Sequence, residues 1–113
     1  MPFINSKVSV PVSREMRDKI KTRLGEDIAV LGKTENWLMV GFDDNYDLYF
    51  AGNQAGPAAF VSVALYGKAK PDACDRMTAR ICAVYNELLG IPADRIYVTY
   101  EFVENWGWNG QNF

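Results

Sequence analysis

The residue with the least replaceable chemistry is the second one. Met1 precedes Pro2, and an initiator methionine is usually removed when so small a residue follows. Removal leaves a prolyl nitrogen, a secondary amine with no counterpart elsewhere in a protein. Pro2 opens a segment that reads as a core strand, so this nitrogen is expected to be held in place. A positioned amine that is partly desolvated and near a cation has a lowered pKa and stands neutral at working pH. That is a general base. The dipeptide alone is weak, because many chains begin Met-Pro with no chemistry attached. The sequence has no histidine, which removes His-based triads, His acid–base catalysis and the commonest metal ligand.

Cys74 and Cys82 exclude more than they suggest. They fall eight residues apart in a stretch that reads as helix, which separates them by about 12 Å at the helical rise. A disulfide needs Cα atoms within roughly 7 Å, so they cannot pair within the chain. No CxxC occurs, so neither a redox motif nor half a zinc site is present. Buried free thiols fit a reducing cytosol.

The elements that must position such a base are punctuated clearly. Residues 3 to 10 alternate as a strand with Ile4, Val8 and Val10 on one side. Ser13 is a candidate N-cap, and Met16, Ile20, Leu24, Ile28 and Leu31 follow at helical spacing to Gly32, a C′ glycine. Residues 37 to 42 read as a second strand. The plan then recurs: a strand over 58 to 66, a helix opened by Pro71-Asp72 and closed at Leu89-Gly90, and a strand from Ile96 to Phe102. Between the units, residues 41 to 57 are expected to be a loop with a short edge strand at Leu48-Tyr49-Phe50. The tail from Val103 to Phe113 places Trp106, Trp108 and Phe113 outside any regular element, where they need something to pack on.

This pattern predicts one domain over 1–113, an α/β (α+β) fold of two pseudo-repeated β-α-β units, roughly 2–57 and 58–113, each a strand, helix and strand. Their strands form a four-stranded mixed sheet with two helices on one face. The other face, with Phe60, Ser62, Ala64 and Tyr66 beside Tyr97, Thr99 and Glu101, is mixed rather than charged, so it suits burial against another subunit. At 113 residues the chain is long enough for one core, and 49% apolar with 23% charged residues excludes disorder. Twelve basic against fourteen acidic residues leave no surplus for a phosphate backbone, so nucleic acid is excluded as a partner. No apolar run approaches a membrane span, and no signal-peptide pattern opens the chain.

A collinear set of short motifs adds to this reading: Met1-Pro2-Phe3-Ile4, Leu31-Gly32-Lys33, Phe50-Ala51-Gly52 with Pro57-Ala58, Tyr66-Gly67-Lys68, Ile91-Pro92-Ala93-Asp94-Arg95-Ile96-Tyr97, and Asn105 to Gly110 with Phe113. With them the chain resembles the macrophage migration inhibitory factor (MIF) family of the tautomerase superfamily over essentially its whole length. The resemblance implies a homotrimer with active sites at subunit boundaries. It also implies tautomerisation of α-keto acids such as phenylpyruvate, without cofactor or metal. Pro2 would shuttle the proton. Lys33, which alone reads as a solvated lysine favoured by a helix C-terminus, would grip the substrate's carboxylate or carbonyl oxygen. The backbone of Tyr66 would line the pocket, Tyr97 would come from a neighbouring subunit, and Trp108 and Phe113 would form an aromatic wall.

Departures from the family pattern are informative too. Thr99 stands where the vertebrate cytokine has asparagine, which puts one polar contact to substrate in question. Tyr66 replaces an aliphatic residue and Trp106 a smaller one. The vertebrate redox CxxC falls on Ala58-Ala59-Phe60-Val61, which carries no thiol. The competing reading is a MIF-like cytokine or interaction protein with a vestigial pocket, whose partner, if it is secreted, is a receptor. The expected location is cytoplasmic, and any export would be non-classical for want of a signal peptide.

Overall fold

Every second residue of the first strand is buried: Pro2, Ile4, Ser6 and Val8 of β1 (Pro2–Val8) point inward in the computed structural model, which describes residues 1–113. Helix α1 (Arg14–Asp27) starts where the Ser13 hydroxyl accepts from the Met16 N–H at 3.2 Å. Its last turn tightens into a 3-10 turn over Ile28–Leu31, and Gly32 ends it in the left-handed region at φ 74°. Then come β2 (Met39–Asp43), β3 (Ala59–Tyr66), α2 (Pro71–Leu89) and β4 (Ile96–Val103). Pro71 starts α2 without needing an N–H, and Gly90 closes it at φ 68°.

The sheet order is β2-β1-β3-β4. Each strand–helix–strand segment pairs in parallel, β1 with β2 and β3 with β4, and the two segments meet along an antiparallel β1–β3 seam. Both helices pack on one face, where Ile20, Leu24, Ile28, Met77, Ile81 and Val84 meet Ile4, Val8, Val61, Val63 and Leu65. Each such side chain contributes roughly 1.5–3 kcal/mol on burial. Two polar devices are set into this layer. The hydroxyls of Ser6 and Tyr85, both fully buried, hydrogen-bond to each other. Asp27 accepts from Arg80 at 3.2 Å, tying α1 to α2. No helix is long and apolar enough to cross a membrane.

Some elements differ from expectation. Strand β2 starts at Met39 because Glu35–Trp37 close a 3-10 turn that leaves Trp37 half-exposed. Leu48-Tyr49-Phe50 forms no edge strand. Phe50 makes only an isolated bridge to Asn53, because Ala51 (φ 52°) and Gly52 (φ 78°) turn the chain back at once. Both thiols are half-buried rather than buried, and free. The tail is a small hairpin, β5 (Gly107–Trp108) and β6 (Gln111–Asn112). Asn109 and Gly110 both take positive φ at its tip, the Asn-Gly signature of a tight hairpin turn.

Candidate active site

The start of β1 lies inside the sheet, with β3 on one side and β2 on the other. Pro2 stands opposite Leu65 of β3, and Phe3 opposite Met39 of β2. The antiparallel ladder runs one residue further, with the Met1 carbonyl accepting from the Tyr66 N–H at 2.9 Å. Past the left-handed Gly32, the Lys33 ammonium reaches across and donates to the Tyr66 carbonyl at 3.1 Å. Partial burial, then the Lys33 charge, hold the terminal ammonium below its ordinary value of 8.0.

A row of aromatic rings spans this terminus. Tyr66 meets Phe113 at 5.4 Å, Phe113 lies nearly parallel to Trp108 at 6.4 Å, and Trp108 meets Trp37 edge-to-face at 4.9 Å. Beside it opens a cleft of about 350 Å³ whose walls include Met1, Pro2, Trp37, Met39, Trp106 and Trp108. A larger hollow of about 540 Å³ lies at the other end of β1, between Ser9, Tyr46 and Gln54. It holds the Asp47 carboxylate but no amine, whereas the chain terminus lies in the smaller cleft. No three His, Cys, Asp or Glu side chains converge to hold a metal ion.

Five of the residues singled out in the sequence therefore come together: Pro2, Lys33, Tyr66, Trp108 and Phe113. Tyr97 and Thr99 do not. Tyr97 pairs with Phe60, which pairs with Lys7, so it lies five residues along β1 from Pro2, about 17 Å at the strand rise. Both side chains are exposed on the sheet face that the helices leave bare. Tyr97 packs on Phe50 at 5.3 Å. Arg95 fastens that loop by donating to the Pro57 and Gly56 carbonyls at 3.0 and 3.1 Å. Within one chain neither Tyr97 nor Thr99 can touch a substrate at Pro2.

Sequence reasoning missed Trp37 and Met39. Trp37 reads naturally as the first residue of a strand, with no hint of a cleft. The signal lay in register: a parallel β1–β2 pair with Phe3 opposite Met39 sets residue 37 beside residue 1.

Among solved structures, the chain is similar to Leishmania major MIF2, at 38% identity and TM-score 0.94 over 100% of this chain and 97% of that one. A structure described as Pt0534 inactivated by 2-oxo-3-pentynoate shares the fold, at 16% identity and TM-score 0.84 over 97% of this chain and 94% of that one. In sequence, the chain is 27% identical to the macrophage migration inhibitory factor of Xenopus laevis over 104 residues, 86% of this chain and 90% of that protein. The family model described as macrophage migration inhibitory factor (MIF) matches residues 1–113. With the mixed sheet, the two helices on one face and a terminus set between Lys33 and the tail aromatics, that match over the whole chain makes the protein a member of the macrophage migration inhibitory factor family.

Proposed function

We propose that the chain is a cofactor-independent keto–enol tautomerase acting on phenylpyruvate-like α-keto acids, with Pro2 as general acid and base once Met1 is removed. Membership of the tautomerase superfamily supports isomerase chemistry at this level of class. The observation that carries the finer reading is the 2.9 Å bond from the Tyr66 N–H to the Met1 carbonyl, beside the Lys33 ammonium. Removing Met1 exposes the prolyl nitrogen and frees the Tyr66 N–H. Lys33 spends one of its three N–H groups on the Tyr66 carbonyl and keeps two for a ligand. A substrate oxygen can take the place of the Met1 oxygen, next to a base.

The reaction then needs only these groups. The Pro2 nitrogen takes a proton from the carbon next to the keto group. That C–H electron pair becomes the C=C bond, and the carbonyl pair moves onto oxygen. Lys33 and the Tyr66 N–H stabilise the charge that develops there. Protonated Pro2 returns the proton to the oxygen, giving the enol, and the reverse path gives the ketone. The half-exposed aromatics accept the aryl group. The 2-oxo acid named with Pt0534 is of the same chemical class.

In this proposal the protein is a homotrimer whose neighbouring chain brings Tyr97 and Thr99 to the cleft. The bare, mixed sheet face supports it. The alternative, a MIF-like interaction protein, rests on family membership, whereas a chain terminus in an apolar cleft, with the Lys33 cation bonded to the neighbouring Tyr66 carbonyl, favours the enzyme. Purified protein, shown by intact mass to lack Met1, should convert phenylpyruvate between enol and keto forms faster than buffer alone. No conversion by such a sample would reject the tautomerase.

A further inference from the structure

Arg95 closes the short turn Ala93–Arg95 that leads into β4, two residues before Tyr97. Its own backbone is fixed. The Arg95 N–H donates to the Pro92 carbonyl at 2.9 Å, and the next residue, Ile96, is buried and pairs with Ala59. None of the chain's ion pairs uses Arg95. The guanidinium is spent instead on the irregular loop ahead of β3. Nε donates to the Pro57 carbonyl at 3.0 Å, Nη2 to the Gly56 carbonyl at 3.1 Å and Nη1 to the Asn53 side-chain oxygen at 3.5 Å. Its central carbon lies over the Phe50 ring, 5.4 Å from the centroid, and Phe50 in turn meets Tyr97 at 5.3 Å.

We propose that Arg95 is a positioning residue for Tyr97: acting through Phe50, it holds the Tyr97 ring in the orientation in which it enters the neighbouring chain's cleft. The proposal deepens the tautomerase reading and rests on its shared site. Tyr97 is 60% exposed and Phe50 is its one aromatic partner. A ring this open has several staggered rotamers available unless a neighbour selects one. Ordering it before substrate arrives spares the binding step that cost, which is worth about two- to tenfold in affinity for one side chain.

Phe50 can select the rotamer only while its loop keeps its place. The loop's own ties are local: Phe50 bridges Asn53, whose side chain accepts from the Ala55 N–H at 3.0 Å. Arg95 supplies its hydrogen bonds to the β4 side. The chemistry calls for arginine. Its flat fork sets several donors along one edge while its face rests on a ring. A lysine ammonium has no planar face to lay on Phe50 and no rigid fork to match two successive carbonyls.

The test measures phenylpyruvate kinetics of the processed protein with Arg95→Lys, with Tyr97→Ala and with both changes. Arg95→Lys should raise KM about three- to tenfold and leave kcat within about twofold, because the base is untouched. In the Tyr97→Ala background the same change should add nothing, since residues acting through one contact are not additive. A side chain that merely stabilised the fold would act alike in both backgrounds. Co-refolding Arg95→Lys with an excess of chains carrying an extra alanine between Met1 and Pro2, which have no free prolyl nitrogen, should return KM to the wild-type value. The neighbour then supplies an intact Arg95 and Tyr97. If sedimentation shows that Arg95→Lys does not assemble, Phe50→Leu takes its place in the same cycle. A wild-type KM in the variant, a rise that persists in full without the Tyr97 ring, or no recovery on mixing overturns the positioning role while the tautomerase stands. An unchanged KM in Tyr97→Ala removes the shared site, and a wild type that leaves phenylpyruvate unconverted removes the enzyme; either takes this proposal with it.

Discussion

Lys33 is hydrogen-bonded at 3.1 Å to the backbone carbonyl of Tyr66, 33 residues away in sequence. The bond fixes a cation from the first strand–helix–strand segment against the last residue of β3, next to the chain terminus. Lys33→Ala should leave the fold intact, because the residue follows the α1 region instead of packing in the core. Loss of a charge-assisted contact costs about 1.5–3 kcal/mol, or roughly ten- to a hundredfold in KM for an anionic keto acid. Lys33 lowers the pKa of the Met1 ammonium, and its charge should act in the same direction on the Pro2 amine exposed by processing, so the acidic limb of the pH–rate profile should move to higher pH in the variant. Steady-state kinetics across pH check both effects, and an unmoved KM would return Lys33 to the role of a solvated charge.

The base can be tested without touching its surroundings. Pro2→Gly keeps a free primary amine after processing and should retain reduced activity. Inserting an alanine between Met1 and Pro2 turns the prolyl nitrogen into an amide and should nearly abolish turnover, with thermal stability little changed. In the active enzyme, rate should rise with pH through an apparent pKa below that of a free amine. Burial and Lys33 both disfavour the protonated form. An insertion variant of verified mass that works at the wild-type rate would remove Pro2 from the mechanism.

A third expectation concerns stability in alkali. Burial pushes the Tyr85 phenol up to about 12 from its ordinary 10.0, against a smaller opposing effect of its bond to Ser6. A raised folded-state pKa means that this contribution is complete below pH 10 and is lost as pH rises towards 12. The lost stability is roughly 2–3 kcal/mol. Burial raises the Tyr100 pKa as well, which acts in the same direction. Tyr85→Phe should shrink the alkaline loss. It should also cost about 1–3 kcal/mol at neutral pH by orphaning the Ser6 hydroxyl. Denaturant titrations at pH 7 and pH 11 measure both.

Assembly gives the fourth test. The protein should sediment at about three times 12.7 kDa, and Tyr97→Ala should lower activity although Tyr97 lies far from Pro2 in its own chain. Co-refolding that variant with the alanine-insertion chain should restore part of the activity. Only a mixed oligomer sets an intact Pro2 beside an intact Tyr97. A stable monomer, or no recovery on mixing, would confine the site to one chain.

What the sequence made readable was whatever is written in local punctuation. Gly32 and Gly90 both take left-handed conformations that end helical segments, as their positions indicated, and Ser13 caps α1. The terminus, the Lys33 cation beside it and three rings of the aromatic row, Tyr66, Trp108 and Phe113, came from matched motifs. The readings that failed depended on chain reversal or on strand register. The apolar Leu48-Tyr49-Phe50 looked like a strand, but the reversal at Ala51-Gly52 left it no partner beyond Asn53. Trp37 entered the cleft because β1 and β2 run parallel, a long-range fact that periodicity does not carry. The split between Pro2 and Tyr97 likewise follows from pairing across two ladders, which no single segment encodes.

Both ends of the chain arrive at the same place. Met1 lines the cleft, and Phe113 rests against Tyr66 and Trp108 beside it. For anyone handling the molecule, neither end is a neutral attachment point. On the proposed mechanism, a purification tag or fluorescent fusion at the front would block the prolyl nitrogen, and one at the back would crowd the aromatic row. An exposed position on the outer face of α2, such as Ala79, is the better location for a label. It lies in the helical layer, on the side of the sheet opposite the bare face, and it leaves both termini as the proposed site requires them.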